Sequence, residues 1–167
     1  MLVPIVQVKA LLDEELVAGR AWARRQGLKL DFRPEDLALG IALRGSDEEP
    51  YLLEGVFDDY PTLPPSWRFL HPESGEAVGP AAYPRPADPY PRGSALIIDS
   101  GREGVVICAH FNRLAFEEEG GPHGDWGPLA NWRNPNPSSH ARAETVGEML
   151  ARIALEVSDS SGRKGAL

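Results

Sequence analysis

Leu37-Ala-Leu-Gly-Ile-Ala-Leu43 decides the fold. Leu37, Leu39, Ile41 and Leu43 fall on one face of an extended chain and only Ala38, Gly40 and Ala42 on the other, a strict period of two. Gly45-Ser-Asp-Glu-Glu-Pro50 then turns the chain, and residues 51–57 make a second strand that pairs with the first as a hairpin. A third strand, around Trp67-Arg-Phe-Leu70, follows the knot Tyr60-Pro-Thr-Leu-Pro-Pro65. Nothing between these strands is long enough for a crossover helix, so the pattern predicts an antiparallel meander of four or five strands rather than a parallel sheet.

On the N-terminal side, residues 9–26 read as a helix. Leu12 and Leu16, and Val17 and Ala21, repeat at spacings that share a face, Asp13 to Glu15 come early and Arg20, Arg24 and Arg25 late, and Gly27 is a natural stop. On the C-terminal side, residues 71–93 are rich in proline, glycine and aromatics and predict an irregular, stiff flap. Residues 95–98 read as a fourth strand, 99–104 as its turn and 105–111 as the strand that carries Cys108. After a turn-rich segment, Val146, Leu150, Ile153 and Val157 give a last helix one apolar stripe to lay on the sheet, and Thr145 with Glu148 has capping-box form at its start. Residues 160–167 are expected to fray. The fold class is α+β, with 1–167 forming one domain.

A chain of 167 residues can bury a real core without staples, and a single cysteine excludes an internal disulfide. No apolar run approaches a membrane span and the first residues lack the basic lead of a signal peptide, so a soluble, cytoplasmic protein with no membrane partner is expected. The net charge of -8 argues against a nucleic-acid partner, because phosphate contacts need a basic face.

Chemistry concentrates between Gly104 and Trp126. The apolar run Val105-Val-Ile107 delivers Cys108 to a segment that ends Glu-Glu-Glu-Gly-Gly-Pro-His-Gly-Asp-Trp126, a place where order gives way to access. Only a thiolate is nucleophilic, and the free thiol pKa of about 8.5 falls when neighbours favour the charge. His110, Asn112 and His123 are near enough in sequence to be such neighbours. A structural role for Cys108 as a small hydrophobe stands beside this reading.

The order of helix, antiparallel meander, Tyr-Pro-x-x-Pro-Pro, proline-rich flap and cysteine past a glycine turn resembles the ubiquitin-conjugating enzymes. Gly55-Val-Phe-Asp-Asp-Tyr-Pro-Thr-Leu-Pro-Pro65 with Phe69, the lead Gly104-Val-Val-Ile-Cys108, and Trp126 as a displaced downstream tryptophan carry the resemblance, which spans residues 11–132. The family's His-Pro-Asn before the cysteine has no counterpart: His71-Pro72 is followed by Glu73 and lies far upstream. The insertion between Cys108 and Trp126 and the single C-terminal helix resemble the bacterial branch, some members of which are thought to use a histidine downstream of the cysteine.

The resemblance implies a UBC-like fold and thioester transfer, in which an activating enzyme hands a ubiquitin-like protein to Cys108 and an acceptor then takes it. That chemistry needs a reachable thiolate, a donor for the tetrahedral oxyanion and a base for the acceptor. His123, in Gly-Gly-Pro-His-Gly with Asp125 as a group that could orient or charge its ring, is the candidate for the second or third role, and Asn112 is a second candidate oxyanion donor. No cofactor is implied. Two other classes compete. One is a metal-binding accessory protein with Cys108, Glu118 or Glu119, His123 and His140 as zinc ligands, a set without tight motif spacing. The other is a non-catalytic scaffold of the same fold.

Overall fold

A computed structural model describes residues 3–87, 97–99, 105–118, 126–134 and 142–167, with 97–99 and 118 defined through their backbone. The meander is present as a four-stranded antiparallel sheet in the order β1 (Leu30–Arg33), β2 (Ala38–Arg44), β3 (Pro50–Val56), β4 (Ser66–Leu70). The alternation read from the sequence sets its register. Leu39, Ile41 and Leu43 of β2 are at most 1 % exposed, and Ile41 pairs with Leu53 while Leu43 pairs with Tyr51 across the hairpin.

The fourth member of this sheet differs from the expected one. β1 is short and half-exposed, so its four residues carry too little pattern to register as a strand beside the helix before it. The strands predicted around 95–98 and 105–111 pair with each other instead, as β5 (Ile97–Asp99) and β6 (Val105–Ile107), in a separate two-stranded sheet. The structure is therefore α+β, with a four-stranded antiparallel sheet between an N-terminal and a C-terminal helix in chain order.

The N-terminal helix, α1, runs Ile5–Arg25 and buries Val8, Leu12, Leu16, Gly19 and Ala23. Leu12 and Leu16 are on the core face as predicted, whereas Val17 is 66 % exposed and belongs to the outer face. The C-terminal helix, α3 (Val146–Asp159), buries Val146, Leu150, Ile153 and Val157 and packs against α1 and β2. The two helices meet closely at glycine: a Cβ built on Gly147 would lie 3.6 Å from the Gly19 nitrogen, and one on Gly19 would lie 3.7 Å from Leu150 Cδ1. The capping box is formed. Thr145 Oγ1 accepts from the Glu148 N–H, and Glu148 Oε2 accepts from the N–H groups of Thr145 at 3.1 Å and Glu144 at 2.8 Å.

Within the segment expected to fray, residues 160–164 make tertiary contacts. The Lys164 N–H donates to the Tyr83 carbonyl at 2.9 Å, the Arg85 N–H to the Gly162 carbonyl at 2.6 Å, and Pro84 bridges Arg163. Ser46 Oγ donates to the Ser160 carbonyl, and the Arg163 guanidinium donates to the Pro50 carbonyl while lying 4.3 Å from the centre of the Tyr51 ring. These partners come from the flap, the β2–β3 turn and the start of β3, which no local pattern in residues 160–164 announces. Tyr51, buried and donating to Asp47 at 3.0 Å, has its phenol pushed up to about 12.

Candidate functional site

Cys108 directly follows β6, which ends at Ile107 instead of running on to Phe111 as predicted. The Ala109 N–H donates back to the Ile107 carbonyl at 2.9 Å, which makes Cys108 the middle residue of a three-residue turn. The Asn112 N–H then donates to the Ala109 carbonyl at 2.9 Å, and the chain enters a short helix, α2 (Arg113–Glu118), where an exposed loop was expected. Cys108 is 7 % exposed, against 0 % for Ile107 and Ala109 on either side of it. Cys108 is thus a buried residue at the bend.

Asn112 holds this turn in place. It is fully buried, and its amide is saturated by main chain: Oδ1 accepts from the N–H groups of Trp67 at 2.8 Å and Leu114 at 3.3 Å, while Nδ2 donates to the carbonyls of Trp67 at 3.1 Å and Ile107 at 2.9 Å. One side chain therefore clamps β4 to the end of β6 and caps α2. Both amide hydrogens face carbonyl oxygens in this geometry, and neither is left for an oxyanion. His110 is 1 % exposed and sits edge-on to the rings of Phe111 and Trp126, at centroid distances of 5.8 Å and 6.3 Å. Trp126 also packs on Phe116 of α2, at 5.1 Å.

The proline knot joins the same region. The Arg113 N–H donates to the Pro65 carbonyl at 3.0 Å, and its guanidinium reaches Asp58 at 2.8 Å, Asp59 at 3.5 Å and Glu117 at 3.4 Å. Tyr60, whose peptide to Pro61 is cis, donates its hydroxyl to Glu15 of α1 and accepts from Arg133 at 2.8 Å. Glu15 also accepts from the Val146 N–H at 2.9 Å, at the start of α3. Burial, and then the hydrogen bond to Glu15, pushes the Tyr60 phenol well above its ordinary value of 10.0. The Trp132 indole N–H closes the ring of contacts on the Pro61 carbonyl at 3.1 Å. One carboxylate and one phenol thereby tie α1, the proline knot, residues 132–133 and the start of α3 together. In the sequence Tyr60 stands out only within its proline motif and Glu15 only as an early helix acid, and Arg133 carries no signal.

His71 serves the flap. Its Nδ1 accepts from the N–H groups of Glu73 at 3.2 Å and Ser74 at 3.3 Å, which closes the turn after β4. A cleft of about 230 Å³ is lined by Arg68, Phe69, Gly79, Tyr83, Val105 and Leu114.

His123 and Asp125 lie outside the described residues, as do Gly104, Glu119 and His140. Among the described residues no three His, Cys, Asp or Glu side chains gather as a metal site, and no described helix is long and apolar enough to cross a membrane. Compared with protein-family models, with curated proteins and with solved structures, the chain matches none.

Proposed function

We propose that this chain is a ubiquitin-conjugating-like transferase of the bacterial branch, which accepts a ubiquitin-like protein as a thioester on Cys108. The supporting observation is the turn at Cys108: a cysteine at the bend after β6, fixed through Asn112 to β4 and through Arg113 to the proline knot. A nucleophile set on a turn that is anchored at both ends keeps its position while a large partner docks.

The chemistry follows from the side chains at hand. The Cys108 thiolate attacks the carbonyl of the thioester that links the ubiquitin-like C-terminus to its activating enzyme, and that enzyme's thiolate leaves and takes a proton. An acceptor amine or hydroxyl then attacks the new carbonyl, loses its proton to a base, and releases the Cys108 thiolate. With the Asn112 amide engaged by main chain, His123 is the candidate for the oxyanion donor or for the base, with Asp125 as the group that would orient its ring. The partners are a ubiquitin-like protein and its activating enzyme, and the site of action is the cytoplasm.

The test mixes the protein with ATP and with a bacterial ubiquitin-activating-like enzyme and its ubiquitin-like protein. A covalent adduct that thiol reductant cleaves, that is absent in Cys108→Ala and that becomes reductant-resistant in Cys108→Ser is the expected result. An adduct that survives Cys108→Ala, or no adduct from a competent activating enzyme, contradicts the proposal.

A further inference from the structure

The C-terminal half of α1 carries a feature that thioester transfer does not use. After Arg25 the chain reverses at Gly27, whose φ is +68°, and the Leu28 N–H donates to the Ala23 carbonyl at 2.8 Å, so β1 starts beside the last turns of α1. Between them lies a cleft of about 380 Å³ lined by Arg20, Ala23, Arg24, Leu28, Lys29 and Leu30, a size in the range of small-molecule sites. Ala23, Leu28 and Leu30 form an apolar floor and the three cations its rim.

The rim is uncompensated. No acid occurs between Leu16 and Leu30 in a chain whose net charge is -8, and among the described residues no carboxylate pairs with Arg20, Arg24 or Lys29. The nearest acid in sequence, Asp31, is 3.9 Å from Arg33. Arg24 is placed to favour the helix dipole, but Arg20 lies a turn earlier and Lys29 beyond the helix. The last carbonyls of α1 do not repel an anion strongly, because those of Trp22, Ala23 and Arg24 already accept from Gln26, Gly27 and Leu28.

We infer that this cleft binds a soluble amphiphilic anion: an aliphatic chain on Ala23, Leu28 and Leu30, with a terminal phosphate among Arg20, Arg24 and Lys29. Arginines four residues apart on one helix face suit a phosphate dianion. The inference is independent of the chemistry at Cys108.

The probe is octyl phosphate, titrated below its micelle concentration into the full chain labelled with nitrogen-15. Saturable amide shifts centred on Ala23, Leu28, Lys29 and Leu30 are expected, with inorganic phosphate and octanol each binding at least about tenfold more weakly. Arg20→Ala or Arg24→Ala should weaken binding about tenfold, while Arg25→Ala, which removes the same charge outside the cleft, should change it less than about twofold. Shifts centred elsewhere, equal binding of inorganic phosphate, equal loss in Arg25→Ala, or binding only to micelles or anionic vesicles would each overturn the inference.

Discussion

Gly55 is the position where one added carbon should do most damage. It pairs with Trp67 across β3 and β4, and a Cβ built there would come within 2.5 Å of Cζ3, 2.7 Å of Cε3 and 2.8 Å of Cη2 of the indole. Trp67 cannot swing away, because it is 0 % exposed, the Phe57 ring stands edge-on at 5.6 Å, and its main-chain N–H and carbonyl are both held by Asn112. Overpacking of this kind costs about 1–3 kcal/mol. Replacing a strand glycine by alanine returns about 0.5–1 kcal/mol through the unfolded chain. Gly55→Ala should therefore lose on the order of 1–2 kcal/mol in urea unfolding followed by circular dichroism, a fall in Tm of about 2–8 °C at about 2–4 °C per kcal/mol for a chain of this size. The contact explanation has a sharper test in a double-mutant cycle. In a Trp67→Phe background the clashing six-membered ring of the indole is gone, so Gly55→Ala should become neutral or stabilising, with a coupling of about 1 kcal/mol or more. Additive losses in the two single variants would refute the reasoning.

Asn112→Ala should cost about 3 kcal/mol in the same assay, since it strands the buried N–H and carbonyl of Trp67 and takes one of two donors from the Ile107 carbonyl; an effect below about 0.5 kcal/mol would mean the clamp is not structural. Glu15→Ala should lose about 2–3 kcal/mol by leaving the Tyr60 hydroxyl and the Val146 N–H without their acceptor, and a loss no larger than that of an exposed α1 acid such as Asp13 would contradict the network. The Glu144 N–H, and after it the N–H of Thr145, holds the Glu148 carboxyl below its usual 4.5, so its stabilisation is complete above that unfolded value and is lost as pH falls through the lower native one. The stability gap between the wild type and Glu148→Gln should accordingly shrink from about pH 6 to about pH 3, and a gap that widens with acid would reverse the sign of the argument.

Strong, local patterns were legible in the sequence. Alternation in residues 37–43 placed β2, the stripe from Val146 to Val157 placed α3, and Thr145 with Glu148 marked its cap. Weaker signals were outvoted. Gly19, which meets α3, looks like a defect in a helix until the crossing is seen, whereas Val17 looks like core and faces outward. Helix α2 had a readable start, because Asn112 is a good cap residue and its Oδ1 accepts from the N–H two residues on, but the glycines and acids that follow suggested a loop. Non-local ties left no trace at all: Glu15 finds Tyr60 and Val146, at separations of 45 and 131 residues, and the C-terminal segment finds the flap. At the site, residue type pointed to Cys108, but the engagement of Asn112 by β4 was invisible until Trp67 was placed beside it.

The account stands on Cys108 being a working nucleophile in the folded chain, and the rate of its alkylation by iodoacetamide under native conditions tests that most directly. The prediction is a native rate within about tenfold of that of the urea-unfolded chain. Alkylation that proceeds only as fast as the protein unfolds would make Cys108 a packing residue and contradict the proposed activity.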